Sequence, residues 1–414
     1  MNEEFRKRPE KILEKLINIV EKTNPEILGV GSWTYSMPFV AEFTREFKAR
    51  NPDIPIILGG SNATHVPTET LELLPHIDFC VRGEGEYTLL ELCQTLSSGK
   101  NTFGNIKGIS YRNKERKIVH TEDRPLIKNL DELPLLDLEN FYKLPKTFRL
   151  AFNTSRGCNM NCTFCSIRSS QGHLRYYSIP YVIKNINHLM NLYESHIVKN
   201  TGIHFHDANL FFDLKRSQAL LKLLRTNFHE LMWSADTRID SITEALATEI
   251  KKSNFVEISL GIESIIPETL IFFNKTNNPY KYISSISKVL TIFENKGIAL
   301  CLNFIDGAPN ETQKDMQKLK KFVIKCMQKP NVDRIAIGVL MVFPGTNLWY
   351  KYVNGDLRLF EVPGGSQEPF AEKYYNFVFM VPSHYKIRNC HMTNKKYLKL
   401  TEDIYEQCCK KIIH

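Results

Sequence analysis

The chain has 414 residues, a net charge of +9 and a hydrophobic content of 43%, as in an ordinary globular protein of two or three domains. No apolar run approaches the roughly 18 residues of a membrane span, and the polar N-terminus predicts no signal peptide. Nucleic-acid binding does not follow from the charge, because the lysines occur in small, spread groups. Seven of the ten cysteines are scattered along the chain, which predicts reduced thiols in a cytoplasmic protein.

The first hundred residues alternate helical and strand patterns. Apolar residues recur at helical spacing over residues 1–24, and buried-strand runs follow at 27–32, 54–58 and 79–81. Helical patterns separate these strands, and glycines follow the strands closely. Such alternation predicts a parallel sheet, in which ligands bind beyond the carboxyl ends of the strands. The sequence therefore predicts a Rossmann-like domain over residues 1–100.

A polar connector over residues 101–147 separates this domain from the next. Alternating residues over 107–119 predict a hairpin that turns around Asn113. The proline and the acidic residues of 131–137 are typical of a linker. Strand–helix alternation resumes over residues 148–345 and predicts a second α/β domain.

Three cysteines of this second domain, Cys158, Cys162 and Cys165, lie in one short loop. Thiolates bind soft metals, and four ligands usually complete a zinc or iron–sulfur site. Three cysteines would leave one iron of a [4Fe–4S] cluster open to a cofactor. A zinc site would need a fourth ligand, for which His173 is the candidate near in sequence. A disulfide is disfavoured in a reducing compartment.

The Cys-x3-Cys-x2-Cys spacing, with Phe164 directly before the last cysteine, resembles the cluster loop of the radical S-adenosylmethionine (SAM) superfamily. The resemblance implies a partial (β/α)6 barrel over residues 148–345, with its chemistry at the carboxyl ends of the strands. It further implies that SAM binds at the open iron and is cleaved reductively to a 5′-deoxyadenosyl radical. An electron donor such as flavodoxin or ferredoxin is then expected as a partner.

Further superfamily motifs follow in order along the barrel, and they imply a set of SAM contacts. That set is Phe164, Asp207, Arg238, Glu263 and Ser264. Each polar member also has a structural alternative. Asp207 is equally suited to an Asx turn or a helix cap, Arg238 to an ion pair with Asp236 or Asp240, and Glu263 to capping the next helix.

Two later motifs indicate turns rather than ligand contacts. The run from Gly307 to Thr312 matches a Gly-x-Pro-x-Glu-Thr turn in which Thr312 is expected to cap a helix. The run from Phe343 to Thr346 is expected to close the barrel. Residues 346–414 match no family pattern and are rich in aromatic residues. They are predicted to form a C-terminal extension that either covers the substrate pocket or packs as ordinary structure.

The N-terminal domain resembles the cobalamin-binding domain that precedes the barrel in many radical SAM enzymes. The matching residues imply cobalamin contacts from Ser32, Gly59, Gly60, Ser61, Gly83, Glu84 and Glu86. Glycine suits these positions because it lets the backbone approach a flat macrocycle. The resemblance implies that the chain begins at the third of the five strands of that domain, and a shortened domain is therefore expected unless the start is misassigned. Cobalamin binding and a mere docking role both stay open at this point.

The leading functional hypothesis is cobalamin-dependent C-methylation of an unactivated carbon in a small-molecule or peptide substrate. Radical rearrangement, cyclisation or oxidation without methyl transfer is the alternative, and a non-catalytic accessory protein is a further one. Methylthiolation is disfavoured because its enzymes carry three further cluster cysteines in their N-terminal domain. Residues 1–100 offer only Cys80 and Cys93. The patterns assign no catalytic residue.

Overall fold

The computed structural model describes residues 9–100, 102–135, 149–192, 202–357, 359–361 and 385–387. Its strands are β1 (Leu28–Ser32), β2 (Ile56–Gly60), β3 (Phe79–Val81), β4 (Ile109–Arg112), β5 (Ile118–His120), β6 (Leu150–Phe152), β7 (Ser155–Arg156), β8 (Arg175–Tyr176), β9 (Ile203–Phe205), β10 (Trp233–Arg238), β11 (Phe255–Glu263), β12 (Ala299–Asp306), β13 (Val332–Val339), β14 (Leu359–Glu361) and β15 (Tyr385–Ile387). Its α-helices are α1 (Pro9–Glu21), α2 (Met37–Arg50), α3 (Ser61–His65), α4 (Pro67–Leu73), α5 (Glu86–Ser97), α6 (Ile167–Gln171), α7 (Ile179–Leu192), α8 (Leu214–Asn227), α9 (Glu244–Lys252), α10 (Pro267–Phe272), α11 (Pro279–Glu294), α12 (Gln313–Met327) and α13 (Asn347–Val353).

The chain divides into two compact units. The first unit comprises Met1–Ile127, Phe164–Gln171 and Met341–Ile387, and the second comprises Lys128–Thr163, Gly172–Leu340 and Arg388–His414. Linker residues 136–148 and most of the C-terminal extension lie outside the described residues, so the predicted cover of the substrate pocket stays a prediction. Among the described residues, none of the helices has both the length and the apolar character that a bilayer crossing requires.

The first unit contains a five-stranded sheet in the order β1–β2–β3–β4–β5. The first three strands are parallel, as the strand–helix alternation predicts. The predicted hairpin forms as β4 and β5, but it pairs with β3 and so extends the sheet. The physical reason is apolar burial, because Ile109 packs in one cluster with Ile57 and Phe79. The compact first unit therefore continues to Ile127, past the boundary predicted at residue 100.

The second unit contains a six-stranded sheet in the order β6–β9–β10–β11–β12–β13, in which every neighbouring pair is parallel. Helices α7, α8, α9, α11 and α12 connect successive strands of this sheet. Sequential parallel strands joined by helices are the arrangement of a (β/α) barrel, here with six strands. The sheet places the carboxyl ends of its strands at one edge, where side chains that lie far apart in sequence come together.

Alternate residues of β9 and β10 face opposite sides of this sheet. Phe205 and Trp233 lie in the apolar core with the helices, and their rings stack with centroids 5.3 Å apart. The residues between these core positions are polar, namely His204, Ser234 and Asp236. The second unit therefore has an apolar helix-facing side and a polar inner side.

The Gly307–Thr312 turn is built as the sequence predicts, since Thr312 caps α12 in a capping box with Asp315. The turn also buries an acid: Glu311 is 1% exposed, and it accepts hydrogen bonds from the Gly307 amide at 2.9 Å and the Thr269 hydroxyl at 3.2 Å. Burial, assisted by the nearby Asp306, raises the pKa of Glu311 to about 8. The native state therefore keeps a proton on this side chain that the unfolded chain releases.

Replacing Glu311 by Gln tests this burial through the pH dependence of stability. A raised native pKa favours folding at low pH, and that contribution is lost as pH rises from about 4.5 to about 8. The wild-type melting temperature should therefore fall relative to that of Glu311→Gln over this window. Thermal melts of both proteins and of Glu268→Gln, an exposed control in α10, measure the difference. Parallel curves for wild type and Glu311→Gln would contradict the buried protonated acid.

Candidate active site

The cysteine loop begins in a small antiparallel ribbon of β7 and β8. Between the ribbon and the first cysteine, Gly157 adopts φ +77°, and a Cβ atom there would lie 2.6 Å from the Gly172 carbonyl oxygen. The Cys158 amide donates to the same oxygen at 3.2 Å. Only glycine combines this backbone conformation with so close an approach, so Gly157 fixes the start of the loop.

The loop is also tied to the chain that follows α10. Thr163 donates through its amide to the Phe273 carbonyl at 2.9 Å and through its hydroxyl to the Phe272 carbonyl at 3.0 Å. The Asn274 amide group donates to the Asn161 carbonyl at 2.9 Å. These bonds satisfy backbone carbonyls at the end of α10 and hold the loop on both sides of Cys162.

Cys162 lies beside two cationic side chains of the second unit. The Arg238 guanidinium donates from Nη1 to the Cys162 Sγ at 3.7 Å. Burial raises the pKa of the Cys162 thiol, while the charges of Lys275 and Arg238 lower it. The Met160 amide donates to the Cys158 Sγ at 3.4 Å. Three thiols in one anchored loop, with donors and cations beside them, fit an anionic [4Fe–4S] cluster.

Arg238 has a structural partner of the kind that the sequence left open. Its guanidinium forms a forked pair with Asp240 at 2.9 and 2.7 Å, and it donates to the Lys275 carbonyl at 2.6 Å. Its side chain is 6% exposed. A buried, fully bonded guanidinium keeps one orientation, so Arg238 is well placed to hold Nη1 against Cys162.

Glu263 is the candidate SAM contact that the geometry supports best. It ends β11 with φ +61°, and its Oε1 pairs with the Lys275 Nζ at 3.0 Å. Among the described residues, its buried Oε2 has no hydrogen-bond partner. A Cβ on Gly261 would lie 2.9 Å from Oε1, so glycine leaves room for the carboxylate to fold back. An unpartnered buried carboxylate oxygen fits a ligand with an ammonium or hydroxyl donor.

The other polar candidates for SAM contact have internal roles. Asp207 is 2% exposed and accepts bonds from the amide and hydroxyl of Thr154 at 3.0–3.1 Å, and also from the Ser155 hydroxyl. It therefore holds the chain that leads into the cysteine loop, and makes neither an Asx turn nor a helix cap. Ser264 is fully buried and accepts from the Ile266 amide at 3.1 Å, while Phe164 is half-buried in the first unit.

Glu263 does not cap the next helix, because α10 begins after Ile266 without a side-chain cap. Sequence reasoning gave no role to Lys275, the cation that joins Glu263 to the Arg238 pair. It also missed Tyr282, whose hydroxyl donates to the Gly261 carbonyl at 3.0 Å. The only signal for Lys275 was its position shortly after the motif Gly261–Ser264, which contains Glu263, and Tyr282 gave none.

In the first unit, glycines at the strand ends leave open space. A Cβ atom on Gly31 or Gly59 would meet no other atom within 4 Å. Gly60 ends β2 with φ +97°, in close contact with the Ser32 backbone. Backbone that lies bare at the carboxyl ends of parallel strands fits a flat macrocycle such as a corrin.

Several candidates for cobalamin contact already form hydrogen bonds within the protein. Ser32 donates to the Gly59 carbonyl at 2.9 Å, the Gly83 amide donates to the Thr64 hydroxyl at 3.1 Å, and Glu84 accepts from the Ile127 amide at 2.8 Å. Two further candidates, Ser61 and Glu86, begin α3 and α5. Sequence reasoning overlooked Trp33, which follows β1 and is 67% exposed.

Two family models match these two parts of the chain. Residues 4–93 match the B12 binding domain, and residues 152–323 match the radical SAM superfamily. An uncharacterised methyltransferase of Pyrococcus horikoshii is 30% identical over 350 residues, which cover 83% of this chain and 73% of that protein. The chain belongs to the radical SAM superfamily. It is an enzyme of the branch that carries a cobalamin-binding domain, as the sequence predicts.

Other relatives and solved structures agree with this assignment. The anaerobic magnesium-protoporphyrin IX monomethyl ester cyclase of Rubrivivax gelatinosus is 26% identical over 372 residues, which cover 86% of this chain and 61% of that one. The fold matches TsrM of Kitasatospora setae, solved with tryptophan and a SAM analogue, with a TM-score of 0.73, 16% identity, and coverage of 96% of this chain and 80% of that chain. It also matches OxsB with a TM-score of 0.69, 17% identity, and coverage of 94% and 59%.

The family assignment confirms the predicted α/β fold and the predicted cofactors, which are a [4Fe–4S] cluster, SAM and cobalamin. Cobalamin, which the sequence left open, is supported by the B12-domain match. The individual contact residues stay predictions.

Replacing Gly157 by Ala tests how the loop is fixed. The added methyl group collides with the Gly172 carbonyl, so the variant should lose most of its cluster iron after anaerobic reconstitution. Gly99→Ala is the matched control, because Gly99 has φ +69° but open space around its Cα. Iron content per chain and visible absorption give the comparison. A full iron complement in Gly157→Ala would contradict the steric argument.

Proposed function

We propose that this enzyme transfers a methyl group to an unactivated carbon of a small-molecule substrate. The observation that carries the proposal is the presence, in one chain, of two fitting sites. The second unit has Cys158, Cys162 and the unpartnered Glu263 oxygen, and the first unit has the open glycine backbone. The relative from Pyrococcus horikoshii that is described as a methyltransferase supports the same reaction class.

Residues of the cysteine loop and of the second unit would bind and orient the cofactors. Cys158, Cys162 and Cys165 would hold the cluster, and Glu263 would accept a hydrogen bond from SAM through Oε2. Lys275 keeps Glu263 in place by its ion pair. When bound, the cluster with SAM supplies a carbon-centred radical, and cobalamin supplies the methyl group. The protein's own task is to position one C–H bond of the substrate and to exclude water from it.

An electron donor and a compartment follow from this chemistry. Reductive cleavage of SAM consumes one electron for each turnover, so a low-potential donor such as flavodoxin or ferredoxin is expected. A cluster with an open iron is sensitive to oxygen, so a reducing cytoplasm is the expected compartment. Neither expectation rests on a particular surface of the described residues.

A second candidate function is radical ring closure or oxidation without methyl transfer. The cyclase of Rubrivivax gelatinosus favours it, because its similarity extends over 86% of this chain. The two functions differ in their products. Methyl transfer yields one S-adenosylhomocysteine for each 5′-deoxyadenosine, whereas ring closure or oxidation yields 5′-deoxyadenosine alone.

Anaerobic reconstitution with iron, sulfide and hydroxocobalamin, followed by SAM and a reductant, tests the proposal. We expect cobalamin to remain bound after desalting. When a cell extract that contains small-molecule candidate substrates is added, S-adenosylhomocysteine and 5′-deoxyadenosine should form in equal amounts. A substrate-derived product should be heavier by one methyl group. Turnover that gives 5′-deoxyadenosine without S-adenosylhomocysteine would overturn methyl transfer in favour of the second candidate.

Replacing Glu263 by Gln tests the SAM contact. Loss of the charged acceptor should weaken SAM binding about 10- to 100-fold, because a hydrogen bond to a charged group contributes about 1.5–3 kcal/mol. Equilibrium dialysis with labelled SAM on cluster-loaded protein measures the affinity. Glu268→Gln, five residues along and exposed, should bind as the wild type does. Unchanged affinity in Glu263→Gln, with full cluster iron in each protein, would remove Glu263 from the site.

A further inference from the structure

Three potential metal ligands meet on the polar inner side of the six-stranded sheet. His204 lies on β9, His206 follows that strand, and Asp236 lies on β10. Their ligand atoms all lie within 4.8 Å of one another. Neither the cysteine loop nor the candidate SAM contacts include any of these three side chains.

The distances suit coordination of one ion. The Asp236 Oδ2 lies 3.1 Å from the His204 Nε2 and 3.1 Å from the His206 Nδ1. Two ligand atoms that each lie about 2.1 Å from a tetrahedral metal ion are about 3.4 Å apart. The observed separations therefore need little change for an ion to replace the hydrogen bonds.

A surrounding set of hydrogen bonds orients these ligands. The other ring nitrogen of His204, Nδ1, lies 2.9 Å from the Ser234 hydroxyl, which leaves Nε2 to face Asp236. Asp236 is hydrogen-bonded by Ser259, whose hydroxyl accepts from the Asn303 amide group at 2.9 Å. Outer partners that fix the ring orientation of a histidine are typical of metal sites.

The exposure and the chemical type of these three side chains also suit a bound metal ion. The His206 side chain is 71% exposed, while those of His204 and Asp236 are 20% and 33% exposed, so an ion can enter from one side. Two imidazoles and one carboxylate form a nitrogen–oxygen ligand set for a borderline ion such as Zn²⁺. Three protein ligands leave a coordination position open, as in catalytic zinc sites.

We propose that His204, His206 and Asp236 form a binding site for a divalent metal ion, separate from the [4Fe–4S] cluster. The open position faces the inner side of the barrel and would hold an oxygen of the substrate, a carboxylate or a hydroxyl. That role for the ion rests on the proposed function, whereas the metal site itself does not. The substrate class is then a small molecule with an oxygen donor near the carbon that reacts.

Zinc content of the full-length, untagged, cluster-loaded protein tests the site. After incubation with Zn²⁺ and desalting, the wild type should retain about one zinc per chain in addition to the cluster iron. Asp236→Asn and His206→Asn should lose it, whereas His229→Asn, at an exposed histidine after α8, should retain it. Ser234→Ala removes the bond that orients His204, together with a 3.1 Å bond from Arg149, and should weaken zinc affinity about 10- to 100-fold.

X-ray absorption at the zinc edge identifies the ligands. The site requires nitrogen and oxygen neighbours at about 2.0–2.2 Å and no sulfur. Sulfur neighbours would overturn the proposal, because the zinc would then lie on cysteines. Wild-type protein without retained zinc, or variants that retain it, would also overturn it. Equal iron content in all proteins shows that any loss of zinc is local, and none of these readouts depends on methyl transfer.

Discussion

The second unit depends on a buried ionic group beneath the cysteine loop. Asp240 fixes the Arg238 guanidinium, the guanidinium donates to the carbonyl of Lys275, and the Lys275 ammonium pairs with Glu263. Buried charges are tolerated only when each is paired, so Arg238, Lys275 and Glu263 keep one arrangement, and Asp240 pairs with Arg238 from the exposed edge of the group. That arrangement places a cation near Cys162 and leaves one carboxylate oxygen for a ligand. The same ion pairs thus fix the side chains near Cys162 and supply the charged groups that a cofactor would contact.

Much of the fold and the position of the cysteine loop were predictable from the sequence, because both rest on local patterns of residues. Buried-strand runs and glycines gave the parallel sheets, and the spacing of Cys158, Cys162 and Cys165 gave the cluster loop. Thr312 capped its helix as expected, since a capping box is encoded within four residues. The hairpin was found, but its place in the first sheet was not, because strand pairing depends on distant apolar contacts.

Among the candidate SAM contacts, too, the sequence motifs give the positions, whereas the role of each side chain depends on its partners in the fold. Motif position selected Asp207 and Glu263 equally, yet Asp207 is occupied by Thr154 and Ser155, and Glu263 retains a free oxygen. Lys275 and Tyr282 were not assigned, because their roles arise from elements that meet only in the folded sheet. The pairing of His204 and His206 with Asp236 across two strands is likewise invisible in the sequence.

Mössbauer spectroscopy of ⁵⁷Fe-reconstituted enzyme tests most directly whether the anchored loop holds a cluster with one open iron. Three cysteine ligands leave the fourth iron free to bind SAM. We predict that SAM changes the isomer shift of one iron in four, and that the other three stay unchanged. Four irons that remain equivalent and unaffected by SAM would contradict the account.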